Sequence, residues 1–112
     1  MTDEQVAWVR ALVVQGRMYW FYVSSAWKRV RLDVLDDYKG ECQPCKSRGK
    51  YSRATVVHHW FHLDEYPQYA LERVVVIDEV EHINLDAFCR DCHEEEHEHR
   101  HDVKEPLTPE RW

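Results

Sequence analysis

The segment CRDCHEEEH, Cys89 to His97, decides the fold together with the segment VVHH, Val56 to His59. The first carries a cysteine pair and two histidines four residues apart. The second ends a β-branched run with adjacent histidines. A matching pair, Cys42 and Cys45, lies upstream. Because zinc is bound tetrahedrally by four thiolates in structural sites, the two pairs Cys42/Cys45 and Cys89/Cys92 predict a structural zinc ion.

The chain has 112 residues, enough for one domain with a modest core, so a stabilising staple is expected. The domain spans 1–112. We expect it to divide into a helical N-terminal part over 1–38, a zinc-stapled core over 40–101 and a flexible tail over 102–112.

The N-terminus carries no secretory pattern, and no apolar run reaches membrane-spanning length. Reduced cysteines and a cytoplasmic location are therefore expected, which favours a metal over disulfides. A redox role is not supported, because a thioredoxin-like βαβ pattern is absent.

Charge is unevenly distributed along the chain. The net charge is −6, which is unusual for a simple DNA-binding protein. However, 17–53 contains nine basic and four acidic residues, whereas 64–110 contains four basic and fifteen acidic residues. The basic part could bind phosphate, or the acidic part could simply keep the chain solvated. The candidate phosphate contacts are Lys28, Arg31, Lys46, Arg48, Lys50 and Arg53.

Local patterns predict a small α+β fold that begins with two helices. The first follows a capping box at Thr2 to Gln5 and ends near Gly16; the second spans about 26–37. The aromatic segment 18–22 could be an exposed surface for stacking bases, but buried packing at a helix junction is favoured. A strand is expected over 54–57. The segment 74–77 is expected to be a short strand or a buried segment, and the segment 84–88 a short strand or a turn. The connection 78–82 is expected to be polar, and a helix to follow from about residue 91 to 100.

The histidines predict a second, hydrolytic metal site. Adjacent residues on a strand point to opposite faces, so His58 can face a metal while His59 faces a water molecule. His93 and His97 share one helix face and can bind the same ion as His58. His59 would then be the general base.

The order Cys-x-x-Cys, His-His, Asn-Leu, Cys-x-x-Cys-His resembles the HNH endonucleases, specifically the small zinc-containing type of phages and prophages. The resemblance covers roughly 21–97 and includes the segment 21–28. It implies a ββα-metal core. The matching residues are Cys42, Cys45, His58, His59, Asn84, Leu85, Cys89, Cys92 and His93.

Carried over by position, the resemblance makes His59 the general base, and Asn84 the residue that orients the catalytic loop and the base. His58, commonly Asp in the family, and His93 become ligands of one catalytic ion, which could be Mg²⁺, Mn²⁺, Ni²⁺ or Zn²⁺. His97 matches an additional helix ligand of colicin-type nucleases. The remaining histidines match nothing in the motif and are expected at the surface: His62, His82, His99 and His101.

The resemblance implies a DNA endonuclease that leaves 5′-phosphate and 3′-hydroxyl ends, and it suggests phage terminase or packaging proteins as partners. Two alternatives remain open. One is a catalytically inactive, zinc-stabilised module that binds nucleic acid or protein. The other is a toxin-like nuclease aimed at RNA or host DNA. Cleavage specificity and oligomeric state are not encoded in any recognisable pattern.

Overall fold

The structure is a computed structural model that describes the backbone of residues 1–103 and the side chains of residues 1–96. It is a small α+β fold, as predicted. The helices are α1 (Asp3–Val14), α2 (Met18–Tyr22), α3 (Ser25–Asp37), α4 (Gln43–Ser47) and α5 (Arg90–Val103), and the strands are β1 (Val56–His59), β2 (Val74–Ile77), β3 (Val80–Ile83) and β4 (Leu85–Phe88). A short 3-10 helix covers Pro67–Tyr69. Within these described ranges, no helix is long and apolar enough to cross a bilayer.

The N-terminal helices begin and end where side chains and backbone conformation dictate. The capping box of α1 is formed, because the Thr2 hydroxyl accepts from the Gln5 amide and the Gln5 side chain accepts from the Thr2 amide. Gly16 takes a positive φ of 68° just after α1, a conformation that L side chains rarely adopt. The Ser24 hydroxyl accepts from the Trp27 amide and starts α3.

The aromatic segment 18–22 forms the additional helix α2, so three helices rather than two precede the first cysteine pair. Phe21 is fully buried, as the packing interpretation predicted, and contacts Trp8 and Trp27. Tyr19 and Trp20 are 52% and 57% exposed, so the buried interpretation holds for only part of the segment. A five-residue helix can bury one side of its surface, and these two side chains lie on the other.

The second half of the fold contains an antiparallel pair of strands with a helix packed on it. Strands β1 and β4 pair antiparallel, with Val57 opposite Ala87 and His59 opposite Leu85. These residues face the main core, which also contains Val9, Phe21, Trp27, Val34, Leu63 and Ala70. The other face carries Phe88, which packs with the cysteines, and α5 contacts both strands. This β1–β4–α5 unit has the element order that the resemblance implied.

The prediction of a polar connection over 78–82 is wrong. Residues 80–83 form β3, which pairs with β2 through a two-residue turn at Asp78 and Glu79. Both turn residues have positive φ, 51° and 67°, which matches the twist of a tight hairpin. Asn-Gly or Asp-Gly is the usual signal for such a turn, and Asp-Glu does not give it.

The last helix is longer than predicted. It begins at Arg90 and reaches Val103, and therefore includes the first two residues of the segment expected to be a tail. The remainder of that segment, 104–112, lies outside the described residues.

Candidate active site and zinc cluster

The four cysteines converge from two distant segments, as the zinc prediction requires. Cys42 and Cys45 flank the start of α4, and Cys89 and Cys92 flank the start of α5. All four are buried, and their Sγ atoms lie within 4.8 Å of one another. Sγ of Cys45 is 3.9 Å from Sγ of Cys89 and 3.6 Å from Sγ of Cys92. Four sulfurs at about 2.3 Å from a tetrahedral zinc ion are separated by about 3.8 Å, so this cluster fits zinc.

The surroundings of the thiols shift the pKa values of Cys89 and Cys92 in opposite directions. Burial raises the pKa of Cys89, but hydrogen bonds from the Cys92 backbone and from Ser52 outweigh it and lower this pKa to about 7. Burial and the neighbouring thiols raise the pKa of Cys92 to about 12. The guanidinium of Arg48 reaches across, with Nη2 3.3 Å from Sγ of Cys92 and 3.9 Å from Sγ of Cys45. A cation at this position offsets the negative charge of a tetrathiolate site.

His58 and His93 meet on one face of the β1–β4 hairpin. Their ring centroids are 5.6 Å apart with the planes inclined at 71°. His58 is 2% exposed and stacks on Phe88 at 4.7 Å, while Trp60 contacts its edge at 4.8 Å. Because Phe88 belongs to the same buried group as the cysteines, its stacking contact connects His58 with the cysteine cluster.

His59 points to the opposite face of β1, into the aromatic core. Its Nε2 donates a hydrogen bond to the carbonyl oxygen of Ala70 at 2.9 Å. That bond fixes the proton on Nε2 and leaves Nδ1 as the basic nitrogen. Within the described part of the chain, Nδ1 is buried without a hydrogen-bond partner. Burial lowers the pKa of His59 to about 4, which the bond to Ala70 opposes and the nearby His62 reinforces.

Asn84 fastens the loop that carries Ala70. Its side-chain amide donates to the carbonyl oxygens of Tyr69 and Glu72, both at 2.8 Å, and its Oδ1 accepts from the Phe61 amide at 2.9 Å. The Asn84 backbone also accepts from the Trp60 amide at 2.8 Å. Asn84 therefore connects the end of β1 with the residues on both sides of Ala70, the partner of His59.

Two residues missed by the sequence reasoning lie beside His58. His62, expected at the surface, is half-buried, and its ring centroid is 6.0 Å from that of His58. Asp86 is paired with His58 across the hairpin and accepts from the Trp60 indole at 3.1 Å. Burial raises the pKa of Asp86. Strand register could have indicated Asp86, but the position of His62 depends on a loop conformation that the sequence does not encode locally.

Of the other histidines, one is described by the structure and three have side chains outside the described residues. His82 is exposed on β3, as expected. The side chains of His97, His99 and His101 lie outside the described residues, so the ligand role of His97 remains a prediction. Within the described residues, the four cysteines are the only group of three or more His, Cys, Asp or Glu side chains whose ligand atoms all lie within 4.8 Å of one another.

The predicted phosphate contacts fall into two groups. Lys28 and Arg31 line a groove of about 410 Å³ between α3 and β1, together with Tyr22 and Trp27. Arg31 also donates to the Thr55 carbonyl at 2.7 Å. The second group follows the first cysteine pair and consists of Lys46, Arg48, Lys50 and Arg53, all exposed. In this group Lys46 forms an ion pair with Glu41 at 3.0 Å.

Comparison with protein-family models and with curated proteins gives no match. Comparison with solved structures finds the HNH endonuclease of the deep-sea thermophilic bacteriophage GVE2, which was solved with a manganese ion. The sequences are 26% identical, the TM-score is 0.67, and the match covers 92% of this chain and 98% of that one. The chain therefore has the fold of an HNH endonuclease, and the predicted resemblance to these phosphodiester hydrolases is confirmed.

Proposed function

We propose that this chain is a divalent-metal-dependent DNA endonuclease in which His59 is the general base. The structural match supports a nuclease in general, with DNA as its substrate. The observation that carries the assignment of the base is the hydrogen bond from His59 Nε2 to Ala70, with Asn84 fastening the chain on both sides. This arrangement presents a fixed, neutral imidazole whose Nδ1 can accept a proton from water.

The remaining roles follow from position. His58 and His93 would hold the catalytic ion, with His97 as a further candidate ligand. An ion bound there would stabilise the negative charge on the scissile phosphate and on the leaving oxygen. Asn84 holds the loop, and the Ala70 carbonyl keeps His59 in the reactive tautomer. Lys28, Arg31 and the basic residues after the first cysteine pair would bind the DNA backbone, in a manner weakened by salt.

One observation favours the second candidate, a zinc-stabilised binding module without catalysis. His59 has no exposed surface, and its ring stacks on Trp27 at 4.8 Å. A general base must contact its water molecule, so catalysis requires that substrate binding open a path to Nδ1. The binding module requires no such opening. The two candidates therefore differ in whether the aromatic cover over His59 moves when DNA binds.

Conversion of supercoiled plasmid into nicked and linear forms tests the proposal. Wild type, His59→Ala and His82→Ala are compared with Mg²⁺, Mn²⁺, Ni²⁺ and with EDTA. We expect metal-dependent cutting by wild type and by His82→Ala, and a loss of at least a hundredfold in His59→Ala. DNA binding without cutting under any metal would support the binding module, and cutting that survives in His59→Ala would refute the assignment of the base.

The biological setting is a further part of the proposal. The phage origin of the structural neighbour supports a phage-encoded enzyme that acts in the host bacterial cytoplasm. Processing of DNA beside a terminase during packaging suits such an enzyme. Co-purification of the chain with terminase subunits from infected cells tests this role, whereas a linked immunity gene would instead indicate a toxin-like nuclease.

A further inference from the structure

His58 lies at the centre of a group of three imidazoles. The ring of His93 approaches it from α5 at 5.6 Å, and the ring of His62 approaches from the loop after β1 at 6.0 Å. Both contacts are edge-to-face, with interplanar angles of 87° for His62 and 71° for His93. Two imidazoles that bind one ion at about 2.1 Å from nitrogen have centroids roughly 4.5 to 6 Å apart. The spacing around His58 is at the wide end of this range, and the ligand nitrogens of the three rings do not all lie within 4.8 Å of one another, so a shared ion would have to draw His62 and His93 together.

The backbone around His62 is held on both sides. The amide of Phe61 donates to Asn84 Oδ1 at 2.9 Å. The carbonyl of His62 accepts from the amides of Glu65 at 3.1 Å and Tyr66 at 2.8 Å. The next residue, Leu63, is buried in the main core. A side chain on such a fixed loop can meet an ion at low entropic cost, as a metal site requires.

Among the side chains that the structure describes, only His58 and His93 have so far been assigned to the proposed catalytic ion, and the predicted ligand His97 lies outside them. His58 and His93 provide two nitrogens, whereas a catalytic site commonly uses three protein ligands and keeps positions for substrate and water. Resting on the proposed function, we propose that His62 is the third histidine of this metal site. The site is then built from β1, the following loop and α5.

Direct measurement of metal binding tests the assignment. Zinc-loaded protein is titrated with Mn²⁺ alone by calorimetry, in wild type and in His62→Ala, His62→Gln, His58→Ala and His82→Ala. His82→Ala is the matched control, because it removes an exposed histidine from the same half of the chain. Zinc content and thermal unfolding are measured for each variant, and two different substitutions at position 62 guard against a folding defect in one of them.

We expect both His62 variants to bind Mn²⁺ at least tenfold more weakly than wild type, while His82→Ala binds as wild type does. Binding by both His62 variants within twofold of wild type, together with loss of binding in His58→Ala, would overturn the assignment of His62 and leave the proposed function standing. Absence of binding by the wild type in parallel titrations with Mn²⁺, Mg²⁺ and Ni²⁺ would instead overturn both the assignment of His62 and the proposed function.

Discussion

The imidazole of His59 lies nearly parallel to the indole of Trp27, with centroids 4.8 Å apart and planes inclined by 22°. Phe21 and Tyr22 approach the same imidazole at 6.2 Å. These aromatic rings exclude water and therefore disfavour the charged form. His59 is thus held neutral well below pH 7, which gives a base in the correct protonation state but keeps it out of contact with solvent.

The lowered pKa of His59 predicts a pH-dependent stability. The imidazole of His59 takes up a proton near pH 6.5 in the unfolded chain and only near pH 4 in the folded chain. The contribution of His59 to the free energy of unfolding is therefore present above pH 6.5 and is lost as the pH falls toward 4. Between pH 8 and pH 5.5 the loss attributable to His59 is about 1.4 kcal/mol. Urea unfolding of wild type and His59→Gln at both pH values measures it, and equal losses in the two proteins would contradict the prediction.

Asn84→Ala is expected to destabilise the protein by about 3 kcal/mol. The substitution removes three side-chain hydrogen bonds and leaves the carbonyls of Tyr69 and Glu72 without their donor. Asn84→Asp keeps an acceptor for the Phe61 amide but sets a carboxylate against both carbonyls. Amide hydrogen exchange should accelerate over 61–72 in both variants. Unchanged protection of this loop would show that Asn84 does not hold it.

The two groups of basic residues should contribute unequally to DNA binding. Lys28→Ala removes a charge beside the groove between α3 and β1 and should reduce the slope of log affinity against log salt by about 1. Lys46→Ala should reduce it by less, because Glu41 already neutralises Lys46. Fluorescence anisotropy with duplex DNA over a series of salt concentrations measures both slopes. Equal reductions would show that the Glu41 pair opens on binding.

The sequence predicted the parts of this fold that depend on local chemistry. The capping box at Thr2 and the paired cysteines act over a few residues, and each appears as expected. The turn at Asp78 and Glu79 was missed because its positive φ values belong to residue types that seldom signal such a turn.

The candidate site was predictable as a set of residues and less so as an arrangement. The alternation of His58 and His59 across β1 follows from strand geometry and was foreseen. The burial of His59 behind Trp27 was not, because it depends on how α3 packs onto the hairpin. His62 was placed at the surface for the same reason: its neighbours come from loop closure between β1 and β4 rather than from sequence spacing.

Removal of zinc should unfold the catalytic half of the chain. The cluster joins α4 to the β4–α5 junction, and among the residues that the structure describes the buried group around it includes one large apolar side chain, Phe88. We expect Cys89→Ser to lower the thermal midpoint by more than 10 °C, a large effect for a domain of this size. Zinc analysis and calorimetry of the wild type before and after chelation provide the comparison. Re-addition of zinc to the chelated wild type should restore the original midpoint.

Arg48 is expected to retain zinc by donating to the cluster. Its Nη2 lies 3.3 Å from Sγ of Cys92, a residue of the other cysteine pair, so the guanidinium joins the two pairs as well as balancing thiolate charge. Arg48→Ala should release zinc to a chromophoric chelator roughly tenfold faster than wild type. Lys50→Ala is the matched control, because it removes an equal charge from the same exposed run. Equal release rates in the two variants would mean that overall charge, rather than the hydrogen bond to sulfur, governs retention of the ion.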